Sequence, residues 1–265
     1  MKKTIQQYLP AECPWRDTLH WFTTIDSTNT YAKKLAAQGA PHGTVVIAGH
    51  QSAGRGRMGR SFSSPEGKGI YLSVILRPSC PAHELMHLTC ATAVAMCDAV
   101  ASVCAFRPGV KWINDLVAEN RKLGGILTEM VIDPSGKSVQ YAIVGIGINC
   151  SQKPEDFPPE IRDIALSLDT LTGKTTDQSK LAAAMITQLW NMDKDLALKE
   201  RIMAQYRKDC VTLGKDVKIL RPDQTTEGTA IDIDEDGGLL VRLPDGTLLT
   251  VNAGEVSVRD MYGYI

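Results

Sequence analysis

The sequence lacks most of the features that settle a protein's class at once. It has no excess of either charge: 29 lysines and arginines face 30 acidic residues, a net of −1 at pH 7. No global basic field therefore draws the chain to nucleic acid or to an anionic membrane. No run approaches the roughly 18 apolar residues of a membrane-spanning helix. The start, MKKTIQQYLPAECPW, has no continuous apolar stretch after its lysines, so it does not read as a secretory signal. The seven cysteines are odd in number and include no C-x-x-C, a usage suited to a reducing cytosol. H-E-x-x-H is absent too, so His83 and His87, spaced i, i+4, lack the partners of a zinc site.

What is present is an ordinary globular composition, 43% hydrophobic and 22% charged, with room for one large domain and one small one. Strands are expected over His20–Ile25, Gly43–Gly49, Ile70–Leu76, Val110–Val117, Arg121–Glu129 and Tyr141–Asn149. Helices are expected over Thr30–Gln38, Ala82–Ala105 and, broken once, Ser179–Asp209. The first twenty residues carry no strong pattern. Turns are expected at Glu119-Asn120 and Asp133-Pro134-Ser135-Gly136, and the polar stretch Ser61–Gly69 reads as mobile. Cys90, Cys97 and Cys104 recur every seven residues in the apolar helix and read as small buried hydrophobes. From Leu213 onward, short alternating strands separated by Asp-Gly turns suggest a small barrel. Residues 223–246 within it hold seven acidic residues against one arginine, a poor surface for nucleic acid.

The stretch with the most chemistry is Gln51–Arg60, QSAGRGRMGR. Three glycines and three arginines, with no acidic residue, follow the apolar run Val45–Ala48. Such a loop brings backbone N–H groups and guanidinium forks to one point, as a phosphate or carboxylate requires. Gly54-x-Gly56-x-x-Gly59 also spells a dinucleotide fingerprint, but Arg60–Pro65 cannot begin the helix that motif needs. The lysine and Ser/Thr of a Walker A loop are missing as well.

Lys111, Asn114, Asp115 and Lys122 form a second polar set on an otherwise apolar hairpin. A strand lysine beside Gly124-Gly125 suits neutralising charge that builds up in a reaction. Asp115 or Asn149 could position magnesium through one or two oxygens. Each has a bland alternative: helix capping for Ser27, Thr28 and Asn29, solvated surface charge for the arginines.

Taken together, Ser27-Thr28-Asn29, the Gln51–Arg60 loop, Lys111–Asp115, Arg121–Ile126 and Gly145–Asn149 resemble the biotin protein ligase family in residues, order and interval. The resemblance runs from about residue 20 to about 260. It implies an α+β fold with a mixed central sheet and flanking helices, like class II aminoacyl-tRNA synthetases and biotin ligases. A catalytic domain over residues 1–212 and a C-terminal SH3-like β-barrel domain over 213–265 would follow.

It also implies a cytoplasmic enzyme that uses ATP and Mg2+ to convert biotin to biotinyl-5′-AMP. The biotinyl group then passes to a lysine of a biotin carboxyl carrier protein or domain. Ser27, Thr28, Asn29, Gln51, Arg55, Gly56, Arg57, Lys122 and Gly125 would bind biotin. Arg57, Arg60, Phe62, Lys111, Asn114 and Asn149 would face the nucleotide, and Asp115 the metal. Lys122 and Arg57 would be catalytic.

Ile113 and Phe62 stand where the family commonly has proline and tryptophan. Bifunctional members carry an N-terminal DNA-binding domain, which twenty residues cannot supply, so a ligase alone is expected, with no nucleic acid or membrane partner. Family members differ in oligomeric state, and a strand near Tyr141–Ile148 could pair across a two-fold axis in a homodimer. The rival readings are a lipoate–protein ligase and a non-catalytic anion-binding module.

Overall fold

The computed structural model describes residues 1–252 except 135, 137, 222 and 223, together with the backbone of 257–260. A helix the sequence does not announce, α1 (Lys2–Tyr8), comes first. Of its seven residues only Ile5 is buried, too little to leave a periodic stripe. Strand β1 (Leu19–Ile25), helix α2 (Thr28–Ala37) and strand β2 (Thr44–Gln51) follow as a parallel β-α-β unit. Ser27 caps α2, its side chain accepting from the Thr30 N–H, and Thr28 and Asn29 lie in the first turn.

Strand β3 (Gly69–Leu76) is buried along its whole length. The helix expected over Ala82–Ala105 is instead a 3₁₀ turn, Ala82–Leu85, and then α3 (Leu88–Cys104). The apolar pattern runs through both pieces, so periodicity does not reveal the break at Met86 and His87. By length and composition Ala82–Cys104 would cross a bilayer, but α3 is packed inside the protein against α5 (Gln178–Asp195), α6 (Lys199–Asp209) and a central strand. Cys90 and Cys97 are fully buried in it, as small hydrophobes should be.

One expected strand divides in two. Residues 110–117 form β4 (Gly109–Lys111) and β5 (Asp115–Ala118), antiparallel with Lys111 opposite Asp115. The chain reverses at Trp112-Ile113-Asn114, where no glycine or proline marks a turn in the sequence. Strand β6 (Arg121–Ile132) follows the expected turn, where Glu119 and Asn120 both take positive φ. Strand β7 (Val139–Asn149), the short helix α4 (Leu168–Thr172), α5 and α6 complete this part. Of the predicted turn after β6, Ser135 lies outside the described residues.

The seven strands form one mixed sheet in the order β1-β2-β3-β7-β6-β5-β4, parallel only between β1 and β2. Strand β7 has ladder partners on both edges, β3 and β6, so it cannot pair across a two-fold axis as the sequence suggested; the sheet's edges are β1 and β4. One face carries Leu72, Val74, Ile126, Ile146 and Ile148 into the main core beneath α3 and α5. On the other face Ala32 and Ala36 of α2 pack on Val46, Ile75, Tyr141 and Ile143. A mixed sheet between helices is the fold expected from the resemblance.

Strands β8 (Asp216–Leu220), β9 (Thr225–Ile233), β10 (Leu239–Arg242), β11 (Leu248–Val251) and β12 (Ser257–Asp260) make a second, antiparallel sheet in the order β11-β10-β9-β8-β12. The last five residues of the segment 213–265 lie outside the described residues. This sheet is tied to the first part. The Trp112 indole N–H donates to the Gly237 carbonyl at 2.8 Å, and Arg207 donates to the Ile233 carbonyl and to Asp232.

Candidate active site

The cavity exists because of which residues face α2. Along that face of β6 and β7, beyond the end of the helix, glycines recur: Gly125 lies opposite Gly147, and Gly145 opposite Leu127. Ser73 of β3 pairs with Gly145. Where the helix covers the face the residues are Ile75 and Ile143; where it ends they shrink, and a cavity of about 560 Å³ opens. A methyl group on Gly145 would overlap the Asn29 amide, and one on Gly147 the Phe62 ring. The glycines therefore admit side chains to the floor.

The floor at the α2 end is a buried polar network. Ser73 Oγ lies 2.8 Å from Thr28 Oγ1 and 2.6 Å from Asn29 Oδ1. The Thr28 N–H donates to Gln51 Oε1 at 2.8 Å, and Gln51 Nε2 donates to Ser64 Oγ at 2.9 Å. Asn29 Nδ2 donates to Glu129 Oε2 at 3.0 Å, and Lys33 Nζ lies 2.6 Å from Glu129 Oε1. Burial raises the Glu129 pKa, but hydrogen bonds from Lys33 and Asn29 and the charges of Lys33 and Arg55 outweigh it. The carboxylate ends below its ordinary range.

Over this floor stands the Gln51–Arg60 loop. Its base is tied by Ser52 N–H to Ile25 O, Ala53 N–H to Asp26 O and Phe62 N–H to Gly54 O. Its tip is a single 3₁₀ turn, Arg57–Gly59, with Met58 left-handed at φ 55°. The segment after it, Ser61–Gly69, which polarity marks as mobile, is held by Tyr71 Oη to Pro65 O and Gln178 Nε2 to Gly67 O.

The cationic groups sit at the seam between floor and loop. Lys122 Nζ lies 2.6 Å from Asp115 Oδ1 and 6.0 Å from the centre of the Phe62 ring. Arg57 Nη1 donates to Asn114 Oδ1 at 2.9 Å. Burial pushes the Arg57 guanidinium below its ordinary value, with Asp115 opposing the shift; a guanidinium stays charged all the same. Arg60 and Lys111 line the same cavity. An anion entering here meets fixed positive charge in a partly desolvated setting, where each contact counts for more than in water.

Of the residues that the family resemblance assigns to the site, all but Asn149 line this cavity. Asn149 does not: its amide is spent on the Leu166 and Lys122 carbonyls and on Gln152, which places it behind the wall. Arg55 is inside, but its fork grips Glu129 through two 3.1 Å bonds. Sequence reasoning missed Ser73, Glu129, and Glu160 and Ile164 at the mouth. A serine and a glutamate inside apolar strands were the available signal, since buried polar residues in such places need partners.

Two family profiles match the chain. One, described as the biotin/lipoate A/B protein ligase family, covers residues 21–149; the other, the biotin protein ligase C terminal domain, covers 212–259. A biotin--[acetyl-CoA-carboxylase] ligase of Mycobacterium tuberculosis is 35% identical over 263 residues, spanning 94% of this chain and 92% of that one. A bifunctional ligase/repressor of Bacillus subtilis is 34% identical over 230 residues, covering 86% of this chain and 70% of that one. Among solved structures, biotin protein ligase from Aquifex aeolicus in complex with biotin and ATP superposes with a TM-score of 0.77 at 29% identity, over 91% of this chain and 98% of that one.

Proposed function

The chain belongs to the biotin protein ligases, and from that membership we propose that it joins biotin to a biotin carboxyl carrier domain at the expense of ATP. The observation that carries the choice of substrate is the buried polar floor around Thr28, Asn29, Gln51 and Ser73. A ureido group offers donors and a carbonyl acceptor to such a floor; the dithiolane of a lipoyl group offers neither. Nucleotide and biotin carboxylate then meet at the cationic seam.

In the first step a biotin carboxylate oxygen attacks the α-phosphorus of ATP, and the bond to the bridging oxygen of pyrophosphate breaks. Lys122 offsets the charge shared by carboxylate and phosphate, and Arg57 and Arg60 hold the phosphate oxygens. Phe62 and the loop cover the mixed anhydride and keep water from it. In the second step the amine of a carrier lysine attacks the acyl carbonyl and loses its proton, the acyl C–O bond breaks, and AMP departs carrying the former carboxylate oxygen.

Asp115 would offer magnesium a carboxylate, with phosphate and water completing the shell; its Oδ1 pairs with Lys122 and the Asn114 oxygen with Arg57, so the protein itself would supply one oxygen at most. Bound there, the ion would neutralise phosphate charge. Seven free cysteines support placement in the cytoplasm.

The test is incubation with ATP, biotin and a carrier domain, followed by mass spectrometry of the carrier lysine, alongside calorimetric titration with biotin and with lipoate. Biotinylated carrier and tighter binding of biotin are expected. Tighter lipoate binding would make this a lipoate ligase; binding without transfer would make it an anion-binding module.

A further inference from the structure

Glu129 has no part in the chemistry above, yet it joins three pieces of the site. It sits on β6, opposite Ile143, where a face otherwise apolar or glycine-lined would take a hydrophobe. Its side chain is only 16% exposed. Asn29 comes to it from the first turn of α2, Lys33 from the next turn, and Arg55 from the base of the glycine–arginine loop.

The Arg55 contact is the fork-to-fork kind, with both terminal nitrogens on separate carboxylate oxygens. An ordinary surface ion pair at 43% exposure of the arginine would contribute little. Here the geometry is bidentate and the carboxylate is already oriented by Asn29 and Lys33, so little freedom remains to be lost. Arg55 is thereby committed to the protein, two residues before Arg57 and the loop tip.

We infer that Glu129 is a positioning residue that clamps the base of the Gln51–Arg60 loop to the buried polar floor. It orients the Asn29 amide on one side and anchors Arg55 on the other. Through it, the loop's position and the floor's hydrogen-bonding pattern are set together. The inference rests on the biotin ligase reading for its substrate, but its effect on the loop can be read without any ligand.

Glu129→Gln preserves shape and removes the charge that holds both Lys33 and the Arg55 fork. In ligand-free protein, trypsin should cut after Arg57 and Arg60 about tenfold faster, the scale of losing one charge-assisted contact. The KM for biotin should rise by a similar factor of about ten, while the KM for ATP stays within about twofold. Arg55→Met, which breaks the same clamp from the loop side, should accelerate cleavage after Arg57 and Arg60 equally. The double variant should be no worse than either single one.

A carboxylate with a purely structural role would lower the melting temperature and leave cleavage rates and both KM values at their parental levels, and that result overturns the inference. So does parental protection in Arg55→Met, should Glu129→Gln fail to fold. If the parent protein binds no biotin, the ligase reading falls, while the cleavage assay still decides whether the clamp exists.

Discussion

The floor and the lid of this cavity are built on opposite plans. The floor is sheet with the first turn of α2 set against it: Ser73 on β3, a strand paired along both edges, and Thr28 and Asn29 on the helix are almost wholly buried and hydrogen-bonded to one another. The lid is a loop whose tip is one 3₁₀ turn, with Met58 and Arg60 exposed. It is held by backbone bonds at its base and by charge pairs above. Discrimination needs the first plan, because polar groups held rigidly in a buried site penalise a ligand that cannot hydrogen-bond to them. Retention of a reactive anhydride needs the second, because a cover must open.

The comparison can be broken first at the seam. Lys122→Ala should slow pyrophosphate release by about 10²–10³-fold, the scale of losing one preorganised charge contact, while biotin still binds. A parental rate would remove Lys122 from the reaction. Next comes the floor. Gly145→Ala drives a methyl into the Asn29 amide. Asn29 must then give up Ser73 or Glu129, for a loss of about 1–3 kcal/mol in a urea titration and a matching loss of biotin affinity.

A smaller effect is a matter of pH. The Glu129 pKa is depressed in the folded protein, so its stabilisation is fully present above the unfolded value and is lost as pH falls through the folded one. Parent and Glu129→Gln should therefore differ most in urea midpoint at neutral pH and converge below about pH 4. A constant difference down to acid pH would mean the carboxylate's charge is not what matters. The smallest effect belongs to the lid. Met58→Gly relieves a left-handed residue but loosens the unfolded chain, so stability should stay within about 0.5 kcal/mol. A large loss on denaturation would show the tip to be more tightly built than one turn implies.

Much of this could be read from sequence, and the failures share a cause. Periodic apolar segments such as Gly69–Leu76 and the broken α5–α6 region announce themselves, and so does the Glu119-Asn120 turn. The reversal at Trp112–Asn114 does not, because no glycine or proline there marks a turn. Nor does α1, which buries one residue. In the site, residue type told which positions hold charge but not what each charge holds. Arg55 spends its fork on Glu129, and Asn149 spends its amide on backbone carbonyls; both partners come from far along the chain. Contacts of that kind are set by strand register, which no local pattern encodes.

The hydrogen bond from Trp112 to Gly237 carries one more consequence. Trp112 lines the cavity, and the carbonyl that fixes its indole belongs to a turn of the other sheet. Gly237 has φ 88°, and a side chain there would run into Cys90 Sγ, so this turn accepts only glycine. Cutting the chain ahead of β8 would remove the carbonyl that fixes the Trp112 indole and leave this wall of the cavity without its anchor. The acidic C-terminal sheet thus buttresses one wall of the cavity through a hydrogen bond made on its far side.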